Sequence, residues 1–168
     1  MSETAVSAPE IIGISKREGF LAKQLYVIFT KPTDGIKPVM DNLKEHLAFQ
    51  IELEKEGTMF AAGPNWTDDE KSWEGDGMVV VRAKSLAEAK QIAARDPMHQ
   101  SGARKFTVRP WFVNEGTIAV RLNYSKGTFE MAWETMLGRR QNKAHVGCRA
   151  GCDVARNARY PIYNVRIS

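Results

Sequence analysis

The sequence predicts an α+β domain, a four-stranded sheet with helices in the order β-α-β-β-α-β. Three observations predict it. Short runs at residues 25–29, 58–62, 77–81 and 104–109 are apolar or alternating and rich in β-formers, as strands are. Two segments with a helical apolar period separate the first run from the second and the third from the fourth. Of 168 residues, 43% are hydrophobic and 26% charged, with 13 Gly and 7 Pro, which excludes collagen, coiled coil and wholesale disorder.

Leu25-Tyr26-Val27-Ile28-Phe29 is apolar throughout, so it reads as a strand buried on both faces. Lys31 to Gly35 turn the chain. Pro38 suits the first position of a helix, where its missing N–H is no loss. That helix is expected to run to Glu56 and stop at Gly57. At about 100° per residue, Val39, Met40, Leu43, Leu47, Ile51 and Leu53 share one arc, and His46 falls inside it. Thr58–Ala62 is the second strand, closed by Gly63-Pro64. Residues 65–77 form a loop with five acids and two tryptophans, Trp66 and Trp73. Gly77–Val81 is the third strand. Ser85-Leu86-Ala87-Glu88 is a capping box, and its helix ends at Asp96-Pro97, because proline disfavours a helical residue before it. Arg104–Arg109 alternates as the fourth strand. The order is that of a ferredoxin-like sandwich.

Two helices cover one face of such a sheet, yet the strands at 25–29 and 78–81 are apolar on both. A second copy is the simplest cover, so a homodimer through the open sheet face is expected. Residues 1–23 read as a flexible leader. Residues 24–115 form the domain, and residues 116–137 an appended β-hairpin that extends the sheet or embraces a partner. Residues 138–168 are a basic tail. The tail holds seven Lys/Arg and one acid, a net +6, which leaves the first 137 residues at −2. The sequence pI of 9.1 therefore belongs to the tail. Its charge alone would suit a nucleic-acid arm, but it has no reading motif, and a solvated basic tail is the expectation. Mean hydropathy is −0.38, no apolar run reaches the roughly 18 residues of a membrane span, and Met1–Glu10 carry no basic n-region. A soluble cytoplasmic protein is expected. His145, Cys148 and Cys152 are three potential ligands, but their spacing matches no standard zinc site.

The set of motifs over residues 24–115 resembles the YCII-related family of the dimeric α/β barrel superfamily. It comprises Glu45-His46-Leu47, Ala62-Gly63-Pro64, a strand opened by Gly77, Ala83-Lys84-Ser85-Leu86-Ala87-Glu88-Ala89, Asp96-Pro97, Gly102 and Val108-Arg109-Pro110-Trp111. The resemblance implies a small dimeric protein acting on a small molecule, with His46 and Asp96 as a catalytic pair oriented by Pro97. At least one catalysing member of that family is a dehydrochlorinase of a chlorinated hydroxyhydroquinone. Such members place a Ser where this chain has Gly77, and an Arg where it offers Lys37 and Lys44.

Each site residue has two readings. His46 is a general base held by a carboxylate, or a satisfied core histidine. Asp96 before Pro97 is its partner, or ordinary turn chemistry; His99 and Arg95 flank it as substitutes. Lys37 and Lys44 balance an oxyanion, or lie on a solvated helix face. Trp66 and Trp73 form a lid over a planar substrate, or pack a dimer. Gly63, Pro64 and Gly77 join the substrate site by the resemblance. No phosphate loop or dinucleotide fingerprint is present, so no cofactor is expected. The activity implied is that of a lyase or isomerase. The alternative is a non-catalytic small-molecule-binding or accessory dimer of the same fold.

Overall fold

The computed structural model describes residues 5–125 and 127–131. In chain order its elements are α1 (Ala8–Arg17), β1 (Lys23–Pro32), α2 (Ile36–Asp41), α3 (Leu43–Lys55), β2 (Met59–Pro64), β3 (Gly77–Val81), α4 (Leu86–Ala94), α5 (Pro97–Gln100), β4 (Arg104–Val113), β5 (Val120–Asn123) and β6 (Thr128–Met131). The first four strands form one antiparallel sheet in the order β2-β3-β1-β4, the ferredoxin-like α+β arrangement.

Strand alternation explains why the central strands are apolar throughout. On one face Tyr26, Ile28, Val79 and Val81 pack with Leu53 of α3 and Ala89, Ile92 and Ala93 of α4. On the other, Leu25, Val27, Val80 and Val113 make a second cluster. Further along that second face, Phe29, Met78 and Trp111 are substantially exposed.

The helix expected over residues 38–56 is two helices. It begins at Ile36 and breaks at Asn42, whose side-chain amide donates to the Pro38 carbonyl at 2.9 Å. This is a local side-chain bond competing with the helical ladder. The break also splits the expected apolar arc. Val39 and Leu53 are buried, whereas Met40, Leu47 and Ile51 are half exposed. The stop is where the sequence places it: Gly57 has φ +71 and donates to the Glu54 carbonyl at 2.9 Å, a left-handed residue just past the helix end.

The structure also differs at residues 1–23, expected as a flexible leader, which contain α1. Ser7 caps it, accepting from the Glu10 amide, and Pro9 sits in its first turn. Asn114, beyond the end of β4, anchors it by donating to Ser15 Oγ at 3.0 Å and accepting from the Leu21 amide at 3.1 Å. The second helical segment starts as read. Ser85 Oγ accepts from the Glu88 amide at 3.2 Å, and the Glu88 carboxylate accepts from Lys84 N–H, one residue earlier than the ideal box.

β5 and β6 pair with each other in a separate two-stranded sheet, part of a second compact unit that begins at Thr117. The end of the expected hairpin, at 132–137, and the basic tail at 138–168, with His145, Cys148 and Cys152, lie outside the described residues. Among the described residues no helix is long and apolar enough to cross a membrane.

Leu53 is 1% exposed at the centre of the helix-side cluster. Leu53→Ala is expected to lower unfolding free energy by about 2–5 kcal/mol, read from urea denaturation with an unchanged m-value. A loss below about 1 kcal/mol would place the core elsewhere.

Candidate functional site

His46 sits in the first turn of α3 and Asp96 immediately before α5. They are 50 residues apart in sequence, yet His46 Nδ1 lies 2.8 and 2.9 Å from the two Asp96 carboxylate oxygens. Both residues are buried. The turn chemistry and the partnership coexist. Asp96 is the N-cap of α5, and its Oδ1 accepts from the Met98 amide at 2.9 Å. Pro97 at the first helical position holds Asp96 extended, at φ −63 and ψ 127. Gln50, one turn beyond His46, reaches the same carboxylate at 3.4 Å.

Burial pushes the Asp96 carboxyl up, but the hydrogen bond and charge of His46, with the Met98 amide, outweigh it and hold the group below its usual range. A carboxylate can only accept, so Nδ1 of His46 carries the proton. Nε2 is then the basic nitrogen.

His46 also lines a cavity of about 410 Å³. Leu47, Gln50 and Ile51 of α3 form one wall, which is why the apolar arc is half exposed. Gly63 and Pro64 from β2, Gly77 from β3, and Trp66 and Trp73 from the intervening loop also line it. Trp73 is fixed by its indole N–H, which donates to the Asp76 carbonyl at 2.7 Å, while Trp66 is 62% exposed.

Lys37 and Lys44 do not line this cavity. Lys37 Nζ pairs with Asp41 one turn away at 2.7 Å, and Lys44 is exposed on α3. The solvated-face reading is the one the structure supports. Neither flanking residue replaces Asp96. Arg95 lies over the Phe49 ring, with 5.6 Å between its guanidinium carbon and the ring centroid. His99 has both nitrogens engaged: Nδ1 donates to the Ala93 carbonyl at 2.6 Å and Nε2 accepts from Thr30 Oγ1 at 3.1 Å. Burial pulls the pKa of His99 down, despite the Ala93 carbonyl and the Asp96 charge, so it stays neutral.

The cation at the cavity is Arg104, which the sequence reading treats only as the start of a strand. It is buried, and its guanidinium carbon lies 5.6 Å from the Trp73 ring centroid. Burial lowers its pKa, while the charges of Asp96 and Asp76 oppose that shift. The signal was available: period-2 alternation puts Arg104 on the same face as Phe106 and Val108, and an inward-facing arginine is rare without a purpose. Among the described residues no group of His, Cys, Asp and Glu is placed to hold a metal ion.

The profile of the YCII-related domain matches residues 24–112, more than half of the chain. The chain belongs to the YCII-related domain family. No curated protein matches it. Among solved structures, this YCII-related chain is similar to a 5-chloro-2-hydroxyhydroquinone dehydrochlorinase from Burkholderia phenoliruptrix AC1100, solved in complex with 2,5-dihydroxybenzoquinone. The identity is 24% and the TM-score 0.44, over 52% of this chain and 92% of that one.

The depressed Asp96 carboxyl has a thermodynamic consequence. Its unfolded value is about 3.9. Its contribution to stability is therefore present above that pH and is lost as pH falls through the lower folded value. Asp96→Asn keeps an acceptor for the Met98 amide but removes the charge. Its urea midpoint is expected to fall less steeply with acid than that of the unsubstituted protein. Asp96→Ala also loses the cap and is expected to be a further ~1 kcal/mol less stable. Equal acid slopes for the Asn variant and the parent would contradict this assignment.

Proposed function

We propose that this protein is a small-molecule lyase or isomerase in which His46, backed by Asp96, removes a proton from a hydroxylated ring or an enolisable carbonyl compound. One observation carries the reading: His46 Nδ1 is 2.8 Å from a buried carboxylate while the same side chain lines a cavity of about 410 Å³. The carboxylate fixes the tautomer and stabilises the imidazolium that forms, leaving Nε2 to take the proton. The electron pair released from the O–H or C–H bond enters the ring or carbonyl system. It then expels a leaving group such as chloride from a neighbouring carbon, or is reprotonated at a different carbon. Neither course changes the oxidation level of a cofactor, so none is required. Trp66 and Trp73 offer flat apolar faces to a planar substrate, and Gly63, Pro64 and Gly77 line the same cavity. Pro97 acts only through Asp96, as a positioning residue.

A second reading is a binding or accessory protein that holds a similar molecule without converting it. Gly77 favours it, since it brings no hydroxyl to the cavity. His46→Gln separates the two. Turnover, assayed as chloride release from chlorinated hydroxyhydroquinones or as double-bond migration in enolisable ketones, is expected to fall about 10²–10⁴-fold, with ligand binding retained. Binding by the parent protein with no turnover of either class would favour the accessory role.

The domain works as a homodimer through its open sheet face. Phe29, Met78 and Trp111 on that face are 37–42% exposed, which supports a cover supplied by a second copy. The parent protein is expected to sediment at twice the chain mass of 18.9 kDa, and Trp111→Glu at the monomer mass. A monomeric parent at micromolar concentration would remove the dimer from the proposal.

A further inference from the structure

We infer that the cavity takes an anionic ligand, a planar acid whose carboxylate is received by Arg104. The inference rests on the reading of this cavity as the substrate site and adds the substrate's charge to it. Arg104 is 5% exposed, yet its guanidinium makes no hydrogen bond and no ion pair with the described residues. Its Nε is fully buried without an acceptor. Trp73 supports the guanidinium at 5.6 Å, which supplies attraction through the ring's quadrupole but no lone pair.

The carboxylates that act on Arg104 through space are Asp96 and Asp76, and both are engaged elsewhere. Asp96 accepts from His46, Gln50 and Met98. Asp76 pairs with Lys31 at 3.7 Å. Glu54, also on the cavity wall, is exposed on α3, where solvent screens it. A cation that cannot lose its proton, mostly out of water and with no acceptor among the described residues, is a costly arrangement. An acid entering the cavity supplies acceptors to the terminal guanidinium nitrogens, which are not fully buried. The guanidinium presents its N–H donors as a planar fork that matches a carboxylate.

Gly77 supplies the room. A Cβ at that position would lie 3.2 Å from the Gly63 carbonyl oxygen, 3.5 Å from Thr30 Cγ2 and 4.0 Å from Arg104 Nη1. The backbone of Gly77 does not have the positive φ that would demand glycine. Its missing side chain instead keeps the space beside Arg104 open. His46 and Arg104 line the same cavity, so a planar acid offers its anion to Arg104 and its transferable proton to His46.

The test compares 2,5-dihydroxybenzoate with its neutral counterpart 2,5-dihydroxybenzamide, using tryptophan fluorescence and the NMR signals of Arg104 Nε–H, the Trp73 indole N–H and the His46 ring. The acid is expected to bind at least about tenfold tighter than the amide and to shift the Arg104 Nε–H signal. Arg104→Met is expected to lose that preference, so that acid and amide bind alike. Arg104→Lys, which keeps the charge but not the fork, is expected to retain part of it. Gly77→Ala is expected to weaken the acid more than the amide. Acid and amide binding equally to the parent, or a preference that survives in Arg104→Met, overturns the inference and leaves the cavity reading standing. If neither probe moves the Trp73 or His46 signals, both readings fall together.

Discussion

The Asp96 carboxylate ties α3 to the start of α5, and among the described residues no other hydrogen bond joins those two helices. It caps α5 through the Met98 amide, holds the His46 ring of α3 from 2.8 Å, and takes the Gln50 amide one turn later. A buried carboxylate is tolerated only when such partners replace its hydration. Each partner therefore depends on the others. If α5 did not start at Pro97, the carboxylate would lose its cap and its aim. If α3 did not carry His46 and Gln50 on one face, the charge would be stranded. The dyad is thus part of how the helices are fixed against each other, and its geometry does not wait for a ligand.

The sheet sets the stage through alternation. Tyr26, Ile28 and Thr30 of β1 point to the helical side, and Thr30 there accepts the role of donor to His99. The same parity brings Arg104 of β4, opposite Pro32, to the helix-facing side. The cavity opens between α3, the β2–β3 edge and the loop joining those strands. The helix break at Asn42 matters here. By separating α2 from α3 it leaves Val39 to pack with Met98 and Ala103, under α5, while Leu47 and Ile51 turn to the cavity.

Much of this was legible in the sequence, for identifiable reasons. The strand runs, the Ser85 box and the Gly57 stop each have a local cause that one stretch of sequence contains. The His46–Asp96 pair was legible because the β-α-β-β-α-β order brings the start of one helix and the end of the other to the same sheet edge. What was not legible needed either a competing local bond or a distant partner. The Asn42 break depends on a side-chain amide outcompeting a backbone one. Helix α1 carries its own signal in Ser7, Pro9 and Glu10, but its anchor, Asn114, is 99 residues from Ser15. Lys37 entered only through the resemblance, where family members have an arginine, and Asp41 four residues on pairs with it instead. Arg104 was hidden by the alternation that made its strand recognisable.

The two histidines beside Asp96 show how environment divides one side-chain type between two tasks. His99 donates to a carbonyl and accepts from a hydroxyl, so neither nitrogen has a free lone pair or a free proton. Burial and the nearby charges of His46 and Arg104 also disfavour its imidazolium. It is a strut, tilted at 42° against Phe106 with 4.5 Å between ring centroids. His46 differs in one respect. The carboxylate engages Nδ1 alone, so the opposite nitrogen keeps its lone pair on a residue that borders open space. Asp96 is hydrogen-bonded to the His46 ring, whereas it acts on His99 only through space, beside the Ala93 carbonyl. His99 is thereby left with no nitrogen to exchange a proton, and of the two rings it is His46 that lines the cavity with one nitrogen not held by Asp96.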